Sequence, residues 1–220
     1  MKLLIINPNT STATNHRIET IAKPLMAPSD SLEVVSAKSG IEFIETIEQS
    51  NQTKSAVLEE VSQNSQSVDG IIIAAFSDPG LMEAKKLSSC PVIGIAEASM
   101  KIAQGLTERF AIITLGSQFS QIIRQNSLSY GIAEKLVEIK ILPWSVAEVS
   151  ANLLSYREDF TEACERLVSE RDVGAVIVGG GPLSGIADVI TDELPIPVLD
   201  GVRCAVDLTL KLWRERNILR

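Results

Sequence analysis

The stretch VDGIIIAAFSDPGLMEAKKLSSCPVIGIAEA, residues 68–98, decides the fold of this chain. It begins with an apolar run, continues through a short polar loop and a helical segment, and ends in a second apolar run. The same order returns in VGAVIVGGGPLSGIADVITDELPIPVLDGVRCA, residues 173–205. A proline follows the polar loop of each copy, Pro79 and Pro182, where we expect it to start the helix. Such a repeat predicts two similar α/β halves, each presenting one strand-to-helix loop to a ligand held between them.

Strands and helices alternate along the rest of the chain. Short apolar runs such as residues 3–6 and 110–114 are typical of buried strands, and segments with a helical pattern separate them. This alternation predicts βαβ units and mainly parallel sheets flanked by helices. We therefore expect an N-terminal α/β lobe over residues 1–98 and a C-terminal α/β lobe over residues 99–205, with a ligand cleft between them. A last helix over residues 206–220 is expected to pack back on the first lobe.

The composition disfavours several classes of protein. A formal net charge of −8 leaves no basic stripe for the phosphates of a nucleic acid. Three cysteines without C-x-x-C spacing argue against a disulfide framework, and a single histidine leaves few ligands for a metal. No apolar run nears the roughly 20 residues of a membrane span, and the first residues do not resemble a signal peptide. We expect a cytoplasmic protein with a small-molecule ligand and no membrane partner, whose apolar helix stripes allow a homo-oligomer.

Four loops at the carboxyl ends of strands are expected to form the ligand site. They cover residues 7–11, 75–78, 115–117 and 179–181, and all of them hold small or polar residues. Ligands of open α/β sheets sit beyond this edge. Helices follow each loop, and their first N–H groups suit a carboxylate, an imide or an enolate-like oxygen.

Five motifs at these loops and strands carry a resemblance to a known family. They are INPNTS at residues 6–11, AAFSDPGL at 74–81, PVIGIAEA at 91–98, GGGPLSG at 179–185 and PVLDGV at 197–202. Together they are similar to the aspartate/glutamate/hydantoin racemase superfamily, most of all to its hydantoin and allantoin racemase branch. The resemblance implies two pseudo-symmetric Rossmann-like lobes and racemisation without a cofactor at a carbon next to a carbonyl. The substrate it implies is a small hydantoin, ureide or amino acid.

The resemblance also implies two catalytic cysteines, one at each of two strand ends, which exchange protons on opposite faces of the substrate. The positions that match them here are Ala75 and Gly180, so neither side chain can carry a proton. Racemisation by another base therefore stands beside two alternatives. One is a non-catalytic small-molecule binder, and the other is a lyase or decarboxylase that has lost the two-cysteine mechanism.

Candidate catalytic residues are Ser77 and Asp78, which follow the emptied position 75. Their structural alternative is strong, because an Asp directly before Pro79 is typical of a helix N-cap. For the polar residues and glycines of the loops, helix capping and tight turns are the structural alternative to ligand binding. The candidate substrate-binding residues are Asn7, Asn9, Thr10, Ser11, Ala75, Phe76, Ser77, Thr114, Gly116, Ser117, Gly179, Gly180, Gly181 and Gly201.

Several other ionisable residues have weaker claims. Glu42 and Glu45 lie in GIEFIE, which resembles a family segment at the border of the cleft, and desolvation could make either one a base. His16 is expected on the surface of the first helix. The cysteines, Cys90, Cys164 and Cys204, are expected to be buried or structural.

Overall fold

The computed structural model describes residues 1–218 and contains two parallel sheets with helices around them. The strands are β1 (Lys2–Asn7), β2 (Ser31–Ser36), β3 (Gly70–Ile73), β4 (Val92–Gly94), β5 (Phe110–Thr114), β6 (Leu136–Ile141), β7 (Ala175–Val178) and β8 (Val198–Asp200). The α-helices are α1 (Thr12–Ala22), α2 (Ile47–Asn64), α3 (Leu81–Leu87), α4 (Ile95–Leu106), α5 (Phe119–Ser129), α6 (Val146–Ala151), α7 (Arg157–Arg171), α8 (Ile186–Ile190) and α9 (Gly201–Ile218).

The two sheets repeat one topology, as the sequence predicts. The first has the strand order β2-β1-β3-β4 and the second β6-β5-β7-β8, so each strand of the first half has a counterpart four strands later. Every pairing is parallel. The repeated strands β3 and β7 are buried along their whole length, which is why they read as continuous apolar runs rather than alternating ones.

One apolar core is shared by both halves. Ile72 of the first sheet and Ile177 of the second belong to the same buried cluster, together with residues of α4 and α9. Two further clusters cover the outer faces, one beneath α2 and α3 and the other beneath α7 and α8. The two halves are therefore joined by a continuous interior, which holds their strand-end loops in a fixed relation.

The last helix, α9, runs from the end of the second sheet back across the first. A Cβ at Gly70 of β3 would lie 2.6 Å from Cγ2 of Thr209, so the helix approaches closely only because residue 70 is glycine. The helix is continuous through residue 206, where the sequence suggested a separate unit. Residues 219 and 220, assigned to that unit, lie outside the described residues. In residues 1–218 no helix has the length and apolarity to cross a membrane.

Helix starts are where the sequence-based predictions were wrong. Neither Pro79 nor Pro182 begins an α-helix. In the first half α3 starts at Leu81, after Gly80 with φ of 71°, and in the second α8 starts at Ile186, after Gly185 with φ of 98°. In both copies a left-handed glycine reverses the chain between the proline and the helix.

The second helix begins earlier than expected. The apolar positions within residues 52–66 of the sequence predict a helix that starts near residue 52, whereas α2 begins at Ile47. Thr46 accepts a hydrogen bond from the amide of Gln49, and the Gln49 side chain accepts one from the Thr46 amide. This capping box fixes the start inside a segment whose apolar periodicity is weak.

Candidate functional site

Loops from the two halves meet at the carboxyl edge of the sheets. A Cβ at Gly179 would lie 2.5 Å from the ring of Phe76, and a Cβ at Gly181 would lie 2.8 Å from the carbonyl oxygen of Ala74. Both distances are too short for any side chain. The glycines therefore let the loop after β7 touch the loop after β3, and a narrow cleft forms beside the contact.

This cleft is small and lacks ionisable groups. The volume that the centre of a water molecule can reach inside it is about 40 Å³. A single water needs about 10–15 Å³ on that measure, so the cleft has room only for a compact ligand. Among the described residues the lining set contains no ionisable side chain; its members are Asn9, Ile44, Ala74, Ala75, Phe76, Thr114, Leu115, Phe119, Val146, Gly179, Gly180, Gly181, Pro182 and Leu183.

Backbone amides supply hydrogen-bond donors to the cleft. The N–H groups of Ala75, Phe76, Gly180 and Gly181 donate to no acceptor in residues 1–218. They belong to lining residues of both loops, so unpaired donors are available from each half of the molecule. Amide donors of this kind stabilise a carbonyl or carboxylate oxygen without a charged side chain.

Asn9 is held in the cleft by the residues around it. Its Oδ1 accepts hydrogen bonds from Asn7 Nδ2 at 2.8 Å and from the Ser11 amide at 2.9 Å. Ser11 also caps α1 by accepting a bond from the Thr14 amide. Asn7 and Ser11 thus position Asn9 and do not line the cleft, while the Asn9 Nδ2 group has no acceptor within the described part of the chain. Thr10 donates its amide to Ile41 and also lies outside the lining.

The loop after β5 in the second half contributes residues to the cleft and to a neighbouring depression. Thr114 lines the cleft, and its hydroxyl donates to the carbonyl oxygen of Gly179 at 2.7 Å. Gly116 and Ser117 instead line a neighbouring depression together with Glu45. Gly201 begins α9 against Ile95 and is not part of the cleft lining.

Neither predicted catalytic residue lines the cleft. The Ser77 hydroxyl is buried and bonded to the Ser50 hydroxyl at 2.7 Å. Asp78 accepts hydrogen bonds from the amides of Ala96 and Glu97 and from the Tyr130 hydroxyl, at 3.2, 2.8 and 2.7 Å. It therefore caps α4, and our interpretation of Asp78 as the N-cap of the helix after Pro79 was wrong. Two features keep Asp78 from capping α3. The residue directly before α3 is Gly80, and Asp78 has a left-handed φ of 47° with its carboxylate bonded to α4.

The Asp78 carboxylate occupies space that a glycine leaves free. A Cβ at Gly94 would lie 2.2 Å from this carboxylate. The equivalent position of the second half is Asp200, whose own carboxylate caps α9 by accepting from the amides of Val202 and Arg203. The two halves thus cap equivalent helices from different positions. Burial raises the pKa of Asp78 to about 7, although the Tyr130 hydroxyl and the α4 amides favour its charged form.

A segment of the first half crosses to the second and closes one side of the cleft. We call residues 41–46 the strap. Phe43 packs on the core of the second half, and Ile44 lines the cleft. The Glu45 carboxylate accepts a hydrogen bond from the amide of Val146 at 2.5 Å. Glu45 thus anchors the strap outside the cleft, and Glu42 is exposed.

Sequence reasoning missed the apolar wall of the cleft. Ile44, Phe119 and Val146 were not predicted as site residues, because an apolar side chain carries no chemical signal of a ligand. Leu115 was predicted only as part of the loop over residues 115–117. The one available clue was Gly116, whose left-handed backbone lets the Phe119 ring approach within 2.6 Å of a hypothetical Cβ.

No cysteine lines the cleft among residues 1–218. Cys164 and Cys204 are buried in helices, as expected, and burial raises the pKa of the Cys164 thiol to about 12 and that of Cys204 further. Cys90 is partly exposed and contacts the Ser88 hydroxyl. His16 is exposed on α1, which confirms its predicted surface position.

Comparison with known proteins places these observations in a family. The family model described as Asp/Glu/Hydantoin racemase matches residues 3–209. A hydantoin racemase from Pseudomonas sp. (strain NS671) is 31% identical over 207 residues, which are 94% of this chain and 83% of that protein. The solved allantoin racemase from Klebsiella pneumoniae is 33% identical with a TM-score of 0.93, covering 98% of this chain and 88% of that one. The solved allantoin racemase from Pseudomonas fluorescens is 23% identical with a TM-score of 0.92. The match covers 98% of this chain and 92% of that one, and it shows that the two share a fold.

Proposed function

Because the chain belongs to the Asp/Glu/hydantoin racemase family, we propose that its cleft binds a small hydantoin or ureide without racemising it by two thiols. The observation that carries this proposal is the absence of any ionisable side chain from the described lining of the cleft. Ala75 and Gly180, which match the cysteine positions in the resemblance, face the cleft with a methyl group and a hydrogen.

Racemisation requires a base that removes a proton next to a carbonyl and an acid that returns one. The hydroxyl of Thr114 is the only one in the described lining, and it donates to the Gly179 carbonyl rather than to a base. A hydroxyl without such a partner is a poor base. Glu45 and Asp78 are not part of the described lining, and their carboxylates are bonded to backbone amides. These contacts support binding over proton abstraction, and they also count against a lyase or decarboxylase.

The chemistry of the lining favours a neutral ligand with several carbonyl oxygens. The free amides of Ala75 and Gly180 and the Asn9 Nδ2 group are uncharged donors, and the Phe76 and Phe119 rings form apolar walls. An acidic amino acid would bring two carboxylates and an ammonium group into a cleft whose described lining offers no counter-charge, which is unfavourable. A hydantoin or a ureide such as allantoin fits this set of groups better.

The test combines binding with proton exchange. We would titrate the protein with single enantiomers of hydantoins and allantoin by calorimetry, and follow loss of the α-hydrogen signal in heavy water by NMR. We expect saturable binding with exchange no faster than in a protein-free control. Exchange above that control would overturn the proposal in favour of racemisation by another base, and no binding across the panel would overturn it as well.

A pair of matched variants assigns the binding to the cleft. Ala75→Leu adds bulk to the lining and should abolish binding, whereas Ala147→Leu makes the same change on the exposed face of α6 and should leave it unchanged. Equal binding by both variants would show that the ligand sits elsewhere.

A further inference from the structure

A second depression lies between the two halves, away from the cleft. The volume that the centre of a water molecule can reach inside it is about 500 Å³. It is formed by α1 on one side and by residues 150–151, 153–154 and 184–185 on the other. Arg17 and Ser184 supply polar groups to its lining, and Ile21, Leu153 and Leu154 supply apolar surface. None of these residues lines the cleft.

Arg17 brings a positive charge into this depression without a counter-charge. Its side chain makes no ion pair within residues 1–218, and its one hydrogen bond runs from Nη2 to the carbonyl oxygen of Ser150 at 3.1 Å. The Nε group is buried and has no acceptor. Burial lowers the pKa of the guanidinium, which shows that its surroundings oppose the charge. A guanidinium has five donors in a planar arrangement that matches a carboxylate.

Two residues of the depression carry buried polar atoms without a hydrogen-bond partner. In the described part of the chain three buried side-chain atoms lack a hydrogen-bond partner: Thr14 Oγ1, Arg17 Nε and Ser184 Oγ. Thr14 and Arg17 lie one turn apart on α1, and Ser184 is 3% exposed on the facing loop. Thr14 does not line the depression, whereas Arg17 and Ser184 do. Buried polar groups are normally paired, so the two unpaired atoms in the lining indicate a missing partner.

We propose that this depression binds a small organic monocarboxylate with a short apolar tail. The carboxylate would accept hydrogen bonds from the Arg17 guanidinium and from the Ser184 hydroxyl after rotation about its Cα–Cβ bond. The tail would rest on Ile21, Leu153 and Leu154. Arg17 is the only arginine or lysine in the described lining, which also contains His16, so the site suits one negative charge. No acidic side chain in that lining would hold the ammonium group of an amino acid.

The site would act on the cleft through a shared loop. The Ser184 amide donates to the carbonyl oxygen of Gly181, which lines the cleft. Thr14 supports the same loop, because its Cγ2 lies 3.4 Å from where a Cβ of Gly181 would be. A ligand bridging Arg17 and Ser184 would therefore fix α1 against this loop.

Thermal denaturation and NMR titration with acetate, propionate, butyrate, glycine and inorganic phosphate test the site. We expect a saturable rise in Tm that grows from acetate to butyrate and exceeds the effect of glycine and phosphate. Arg17→Gln should abolish the rise, and the exposed Arg124→Gln should preserve it. Equal shifts in both variants, a phosphate effect larger than that of butyrate, or no saturation would refute the proposal.

Two further variants keep the test decisive. If Arg17→Gln does not fold, Ser184→Ala serves in its place, with a several-fold weaker butyrate affinity expected by NMR. Ala75→Leu, which obstructs the cleft, should retain full butyrate binding. Loss of butyrate binding in Ala75→Leu would assign the ligand to the cleft instead, and a failed hydantoin titration with intact butyrate binding would leave this inference standing.

Discussion

Replacing Asp78 by glycine tests how α4 is held. The substitution removes three hydrogen bonds to a buried carboxylate, two from the α4 amides and one from Tyr130. Hydrogen bonds to a charged group contribute about 1.5–3 kcal/mol each. The glycine relieves a left-handed backbone, worth about 1–2 kcal/mol, and the desolvation of the carboxylate disappears. We therefore expect a net loss of about 3 kcal/mol in the free energy of unfolding.

The second half of the molecule suggests the matching rescue. Gly94→Asp alone should be destabilising by at least as much, because the new side chain would overlap the Asp78 carboxylate, 2.2 Å from the Cβ position. Combining Asp78→Gly with Gly94→Asp empties that space and places a carboxylate before α4, at the position equivalent to that of Asp200 before α9. The double variant should recover to within about 2 kcal/mol of the parent, the remainder reflecting the unpaired Tyr130 hydroxyl.

Urea denaturation and calorimetry at pH 8 measure this cycle. For a chain of this size about 1 kcal/mol corresponds to 2–4 °C in Tm, so Asp78→Gly should lower Tm by roughly 6–12 °C. Gly105→Asp, at a helical glycine with open space around it, controls for adding an aspartate and should change little. The reasoning is refuted if the double variant is no more stable than either single one, or if Asp78→Gly is neutral.

Three further outcomes follow from the same structure. Burial raises the pKa of Asp78 from 3.8 to about 7, so folding takes up a proton in this range. The stabilisation that protonated Asp78 gives the folded state is fully present below about pH 4 and is lost as the pH rises through 7. Urea titrations of Asp78→Asn should lack this decline in the free energy of unfolding. Gly180→Ala should lower stability by about 1–3 kcal/mol, because φ there is 140°, whereas Gly105→Ala should raise it by about 0.5–1 kcal/mol. Glu45→Gln should weaken the strap and speed hydrogen exchange at the Val146 amide, and unchanged exchange would show that Glu45 is no anchor.

The local pattern of the sequence determined the architecture of this protein. Buried parallel strands must be apolar throughout, so the runs at 71–73 and 176–178 identified β3 and β7, and their repeated surroundings identified two halves of one topology. Helix α1 starts at Thr12 because Ser11, the residue directly before it in the sequence, caps it. The five loop and strand motifs identified the family, which the family match over residues 3–209 confirms.

Tertiary structure alone decided which polar residues face the cleft. Asp78 stands beside a proline, where sequence predicts a local cap, yet its carboxylate reaches α4 because Gly94 leaves room for it. Ile44 lines the cleft because the strap crosses to the second half. Arg17 lacks a counter-charge because the residues that face it across the depression include no acidic side chain. Capping and periodicity depend on neighbours a few residues away, and the sequence reports them. The direction of a side chain at a loop depends on contacts between residues far apart in the chain, which only the packed structure fixes.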